Sequence, residues 1–212
     1  MGVFVGEFPY LPNLIRENQF DTIYHEHLSY FLLGPLVRLF KSRGLPIFKV
    51  EKIPIHGGSI RIYASKSRNR SDRSVEDMLD SEHSSGFYDV STYITFGTKV
   101  DNVRVNLTNA LMSIYNMDKK VMGYGASAKG ISLLNYCGID NKYIHSIVDE
   151  TPAKRGKFTP GSHIPIVGFS HFEEEKPDYI LLLSWNFKEE LISKTKHLGA
   201  KYIVPIPEVS VV

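Results

Sequence analysis

The sequence predicts an α/β protein whose C-terminal half is a doubly wound parallel sheet, preceded by a smaller α+β segment and a helical linker. Three observations lead there. Lys119 to Glu150 reads as an apolar strand, a glycine bend at Gly123-Tyr124-Gly125-Ala126-Ser127-Ala128-Lys129-Gly130, a helix and a second strand from Ile144. Asp178 to Ser184 is a continuous apolar run, as expected of a parallel strand buried on both faces. Strand and helix then alternate to a last strand at Ala200 to Pro205, so helices must cover both faces of one sheet. Residues 119–212 are therefore read as a Rossmann-like domain, 74–118 as the helical linker and 1–73 as the α+β segment.

In order, Gly2 to Glu7 looks like a strand with no partner before it, and we expect a buried strand that ends a domain otherwise missing. Phe8 to Asn18 carries two prolines and should be a loop with one helical turn. Gly34 to Gly44 reads as a short helix, with Pro35 in its first turn, Leu36, Leu39 and Phe40 on one face, and Gly44 past its end. Pro46 to Ile55 and Ser59 to Ser65 alternate like two strands, and the short His56-Gly57-Gly58 link makes them a hairpin. Lys66 to Arg73 is polar and basic, a solvated loop. From Ser74, the Val75, Met78 and Leu79 stripe marks a helix ended by Ser84-Ser85-Gly86, and Phe87 to Met117 forms one long or two broken helices. Thr151 to Ser162 is a Lys-, Gly- and Pro-rich loop, Ile164 to Val167 a short strand, and Phe187 to His197 a helix.

With 212 residues and 42% hydrophobic content, the chain can bury a real core in one large or two small domains. A net charge near +2 argues against a general nucleic-acid binder, whose domains carry a concentrated basic excess. Cys137 is the only cysteine, which excludes disulfides within the chain and Cys-based zinc sites; we read it as a buried helix residue in a reducing compartment. No apolar run approaches the ~18 residues of a membrane span, and no signal-peptide pattern opens the chain, so a cytoplasmic protein without a membrane partner is expected.

Chemistry gathers first at the bend. Gly123 and Gly125 allow a tight turn with close backbone approach, and Gly130 lets the new helix lie near the strand. The first helical turn offers unpaired N–H groups to an anion, Lys129 adds positive charge, and Asp149 stands where a ribose-contacting acid is placed, ~20 residues on. The G-x-G-x-x-x-G pattern is one residue off the dinucleotide fingerprint, and Lys129 precedes its glycine, so this is not a P-loop. Alone, the motif admits two readings: a cradle for a nucleotide or phosphate ester, or a tight strand–helix connection with no ligand.

A second cluster is Tyr24-His25-Glu26-His27. Histidine titrates near neutral pH and can take a proton from carbon beside a carbonyl, and a neighbouring carboxylate would hold the ring, an arrangement that His27, Glu26 and Tyr24 fit. His25 and His27 would share one face of a strand with Glu26 opposite, but no third ligand is evident, so no metal is expected. His56 reads as an interior or turn histidine, while Gly57-Gly58 could let backbone approach a substrate.

Four stretches in order, Phe20-Asp21-Thr22-Ile23-Tyr24-His25-Glu26-His27-Leu28-Ser29-Tyr30-Phe31, His56-Gly57-Gly58-Ser59-Ile60-Arg61, Gly123 to Gly130 and Ser184-Trp185-Asn186-Phe187, resemble the S-adenosylmethionine-dependent C-methyltransferases of nucleotide-linked keto-sugars. Val204-Pro205-Ile206-Pro207-Glu208 matches at the end. The resemblance covers essentially the whole chain but only the later part of the family, whose members begin with a cysteine-rich zinc domain and an S-adenosylmethionine-binding domain. It implies base-assisted alkylation: His27 removes the proton beside the sugar ketone, supported by Glu26 and Tyr24, and the enolate attacks the sulfonium methyl. It also implies a nucleotide diphosphate sugar as partner, with His56, Gly57, Gly58, Arg61, Gly123, Tyr124, Gly125, Ala126, Ser127, Lys129, Asp149, Trp185 and Asn186 as substrate-binding residues. Ser127 and Ile131-Ser132 depart from the proline and Asn-Thr often seen in that loop. S-adenosylmethionine is expected on a separate domain or chain, not within these residues, so the polypeptide is not expected to methylate by itself. The alternatives are a non-enzymatic nucleotide-binding module that pairs with a separate methyltransferase chain, and an NAD-type dinucleotide-binding domain.

Overall fold

The computed structural model describes residues 2–67 and 71–212, with the backbone but not the side chain of His56. The chain divides into two compact units, Met1–Gln19 with His27–Thr98, and Phe20–Glu26 with Lys99–Val212.

The first unit is built on an antiparallel sheet of β1 (Phe4–Pro9), β2 (Ile47–Ile53) and β3 (Ser59–Ala64), in the order β1-β3-β2. The period of two puts Ile60, Ile62 and Ala64 on one buried face. Helices α2 (Leu33–Ser42) and α3 (Arg73–Ser84) cover that face with Leu33, Leu36, Val75 and Met78. The hairpin and the short helix thus form as their sequence patterns predict. The stripe read as part of a linker instead joins this core, because Val75 and Met78 need an apolar partner that the sheet supplies.

Two expectations for the start of the chain are corrected. Its strand is not buried: Val3, Phe4 and Val5 are about half exposed, because β1 is an edge strand paired, among the described residues, with β3 alone, from Phe4 opposite Ala64 to Pro9 opposite Ser59. The strand also runs further than Glu7, and α1 (Leu11–Arg16) follows almost at once, leaving little loop. Of the basic stretch, residues 68–70 lie outside the described residues, and α3 already begins at Arg73 behind an Asp72 cap that accepts from the Ser74 N–H.

Glu82 is the polar centre of this unit. Its buried carboxylate accepts from the Leu33 N–H at 2.5 Å, the Gly34 N–H at 3.2 Å and the hydroxyls of Tyr10 and Tyr88 at 3.0 and 2.5 Å. It therefore caps the orphan N–H groups that open α2. Burial and the adjacent carboxylate push both phenols well above their ordinary range.

The second unit begins with the later part of α4 (Val90–Asn116), a single unbroken helix of 27 residues, whose Val100, Val103, Leu107, Leu111 and Ile114 form the buried stripe. There follow β4 (Val121–Tyr124), α5 (Ala128–Cys137), β5 (Ile147–Val148), β6 (Ile166–Val167), α6 (Ser170–Glu175), β7 (Tyr179–Leu182), α7 (Lys188–Thr195), β8 (Lys201–Val204) and β9 (Ser210–Val211). They form one sheet in the order β6-β5-β4-β7-β8-β9, parallel except for β9. The first strand, β4, is central; the chain winds outward to β6, then returns to β7 on its other side. This is the expected doubly wound sheet, and its topological switch point lies between β4 and β7. Helix α6 and edge strand β9 were not foreseen: α6 is a six-residue helix held by the fully buried Phe172, and β9 spans only two residues.

Cys137 ends α5 in the core, where burial pushes its thiol up to about 12. Among the described residues no helix is long and apolar enough to cross a membrane.

Candidate functional site at the sheet switch point

In open α/β sheets ligands bind outside the carboxyl ends of the strands at the switch point. Here that crevice lies between the bend after β4 and the turn after β7, both in the second unit.

Its glycines divide the work. Gly123 lies inside β4, where a Cβ would stand 2.8 Å from Ile147 and 3.1 Å from Leu183, so it serves sheet packing rather than the turn assigned to it from sequence. Gly125 makes the turn with φ of +93°, and a Cβ there would strike the Ser184 hydroxyl. Gly130 permits the close approach of α5 that the sequence predicts, but to Leu183 just after β7, whose Cβ would lie 2.6 Å from its own.

Helix α5 is capped by the Ser127 hydroxyl, which accepts from the Gly130 N–H at 3.2 Å. That leaves the Ala128 and Lys129 N–H groups in the first turn with no intrahelical acceptor. They and the Lys129 ammonium give this end of the helix a positive field suited to an anion.

Asp149 does something other than wait for a ribose. It accepts from the Ala126 N–H at 2.8 Å, the Thr151 N–H at 2.9 Å and the Lys154 ammonium at 3.1 Å, and Lys154 also bonds the Ala126 carbonyl at 2.9 Å. Burial opposes its ionisation, but the Thr151 and Lys154 contacts more than offset this and hold the carboxyl below its ordinary range. The acid therefore locks the bend. Tyr124 turns its ring into the core against Phe169 and Phe172 and donates its hydroxyl to Glu150 at 2.7 Å; burial first, then Glu150, raises that phenol.

Trp185 follows β7, in a 3-10 turn with the exposed Asn186. Its indole N–H donates to Asp21 Oδ2 at 2.6 Å, and the Lys129 ammonium stands 5.5 Å from its ring centroid. Asp21 belongs to a 3-10 turn, Phe20–Thr22, that packs on α5, with the Phe20 ring edge-on to Tyr136 at 5.2 Å. Its carboxyl is fully buried, Oδ1 has no hydrogen-bond partner among the described residues, and burial raises its pKa despite Trp185 and Lys129.

The segment Phe20–Glu26 thus brings Tyr24 and Glu26 into the unit of the glycine bend. Burial, then the charges of Glu26 and Asp21, raise the Tyr24 phenol, which stays protonated near neutral pH. His25 and Glu26 sit in a turn, not a strand, so the i, i+2 strand face imagined for His25 and His27 does not exist.

His27, His56, Gly57, Gly58 and Arg61 fall in the first unit. Gly57 and Gly58 have φ of +84° and +109° and face Gln19 and Asn13, so the close approach they permit is filled by the chain itself: Gln19 Nε2 donates to the Gly57 carbonyl at 3.0 Å. Arg61 pairs with Glu7 at 2.6 Å across the sheet. The side chain of His56 lies outside the described residues. Sequence reading missed Asp21, Ser184 and Lys154; an acid directly after Phe20 and two residues before Ile23 was the one available signal, and it did not name a partner.

A family model described as C-methyltransferase C-terminal domain matches residues 54–207. The chain is 41% identical over 216 aligned residues to "C-methyltransferase NovU" of Streptomyces niveus, with all of the chain aligned to the C-terminal part of that protein. It spans about half the length of that relative, 51%.

Proposed function

Since this chain belongs to the C-methyltransferase C-terminal-domain family, we propose that it is the substrate-holding and proton-abstracting portion of a C-methyltransferase acting on a nucleotide-linked keto-sugar. The observation that supports this best is the shared unit: the segment bearing Tyr24 and Glu26 is tied by Asp21 to the turn that faces the glycine bend.

In this reading the Ala128 and Lys129 N–H groups and the Lys129 ammonium take the diphosphate. His27 takes the proton from carbon beside the ketone. The C–H electron pair becomes the enolate double bond, and negative charge moves to the carbonyl oxygen, where the protonated Tyr24 hydroxyl can donate. Glu26 stabilises the imidazolium so formed.

The family as a whole implies S-adenosylmethionine, which supplies the methyl group. The bend described here does not fit that cofactor. Asp149 already accepts from Ala126, Thr151 and Lys154, so a ribose hydroxyl would compete with the contacts that hold the bend, and Lys129 opposes a sulfonium. The same engaged carboxylate counts against an NAD-type site.

Calorimetric titration of the chain with a nucleoside diphosphate, NAD and S-adenosylmethionine is the direct test. Only the diphosphate should bind, and Lys129→Gln should weaken it about tenfold, the worth of one charge-assisted contact. Comparable binding of either cofactor would overturn the reading. With a keto-sugar nucleotide in D2O, deuterium should enter the carbon beside the ketone, and His27→Asn should abolish it.

A further inference from the structure

Asp21 stands out among the buried groups that the proposed chemistry does not use. It is fully buried, one oxygen is bonded to the indole of the chain's only tryptophan, and the other has no partner among the described residues. Burial raises its proton affinity, so the ionised form is disfavoured here, yet the carboxyl supplies the acceptor that the Trp185 indole N–H takes.

What it holds can be read from its neighbours. Asp21 lies three residues before Tyr24 and five before Glu26, in a segment that leaves the first unit, joins the second for seven residues, and returns. Among the anchors of that segment within the second unit are Phe20 on Tyr136 of α5, and Asp21 on Trp185 after β7. The indole in turn lies under Lys129, in the first turn of α5, and Lys129 also acts on the Asp21 charge. Resting on the function proposed above, we infer that Asp21 is a positioning residue: through Trp185 it fixes the Tyr24–Glu26 turn beside the glycine bend, so that substrate held at Lys129 meets groups already in place.

The partner in this role is internal, so the first readouts need no ligand. In Asp21→Ala, the amides of residues 22–26 should exchange with D2O at least tenfold faster, while those of β4, α5 and β7 keep their protection. Trp185 emission, which reports a single site, should become more open to acrylamide quenching. Trp185→Phe removes the same bond from its other end and should free the same amides, which keeps the test decisive if Asp21→Ala fails to fold. Asp21→Asn retains an acceptor for the indole N–H and should restore most of the protection.

The functional readout is deuterium entry into a keto-sugar nucleotide. Asp21→Ala should lower its kcat at least tenfold with little change in KM or in diphosphate affinity, a split that general destabilisation would not produce. Unchanged exchange in 22–26, or loosening spread through the whole unit, would overturn the inference. If the wild-type chain binds no diphosphate, the proposed function falls; the ligand-free exchange pattern still decides whether Asp21 holds the turn.

Discussion

Asp149, at the end of β5, reaches across to the backbone N–H of Ala126, 2.8 Å away, and so holds the glycine bend from the neighbouring strand. A residue whose type and spacing suit it to bind a ribose is used to shape the loop that would carry the phosphate.

Asp149→Ala should therefore lower unfolding free energy by about 2–3 kcal/mol at pH 7, since it strands the buried Ala126 N–H. The Lys154 pair adds little to this, because the Lys154 side chain is 38% exposed. The folded carboxyl titrates below its unfolded value, so the contribution is full above about pH 4 and is lost as pH falls through the folded value. Urea unfolding of both proteins at pH 7 and at pH 3 checks the size and the sign.

Gly130→Ala should cost about 1–3 kcal/mol, the usual range for overpacking. The nearest atom, at 2.6 Å, is the Leu183 Cβ, with the Leu183 carbonyl at 3.3 Å. Shortening Leu183 to Ala leaves both in place, so the double variant should show no rescue; thermal unfolding of the two single variants and the double measures this.

Glu82→Gln should destabilise by about 2–3 kcal/mol, because the Leu33 and Gly34 N–H groups bond different carboxylate oxygens and the amide offers only one. Diphosphate affinity, measured by calorimetry on the folded variant, should stay within twofold, since Glu82 belongs to the other unit.

Cys137 should be inert in the native protein. With its thiol pushed up to about 12 by burial, almost no thiolate exists at pH 8, and an aromatic disulfide should react only as fast as the helix end opens. In urea the same reagent should react at the rate of an ordinary exposed cysteine; rapid native reaction would show that the end of α5 is open.

Much of this fold was legible because its signals are local. The Gly125 turn, the Gly130 approach and the apolar Tyr179–Leu182 strand each depend on a residue and its near neighbours. The β1 strand was recognised but misjudged as buried, since burial depends on which strands lie beside it, and among the described residues β3 alone does. Helix α6 went unseen because six residues hold too little periodicity to register, and its place is set by Phe172 reaching the core.

The candidate site shows the same division more sharply. Tyr24, Glu26, Lys129 and Trp185 were picked out as candidates by residue type and order, while Asp21 was passed over and the bonds of Asp149 to its own bend were not foreseen. The sequence by itself determined the alternation of strand and helix, the position of the bend and the inventory of polar groups. Only the tertiary structure decided their partners, because the Asp149–Ala126 and Asp21–Trp185 bonds join residues 23 and 164 positions apart. Buried carboxylates take whichever donors the packed sheet brings within 3 Å, and no local pattern records that choice.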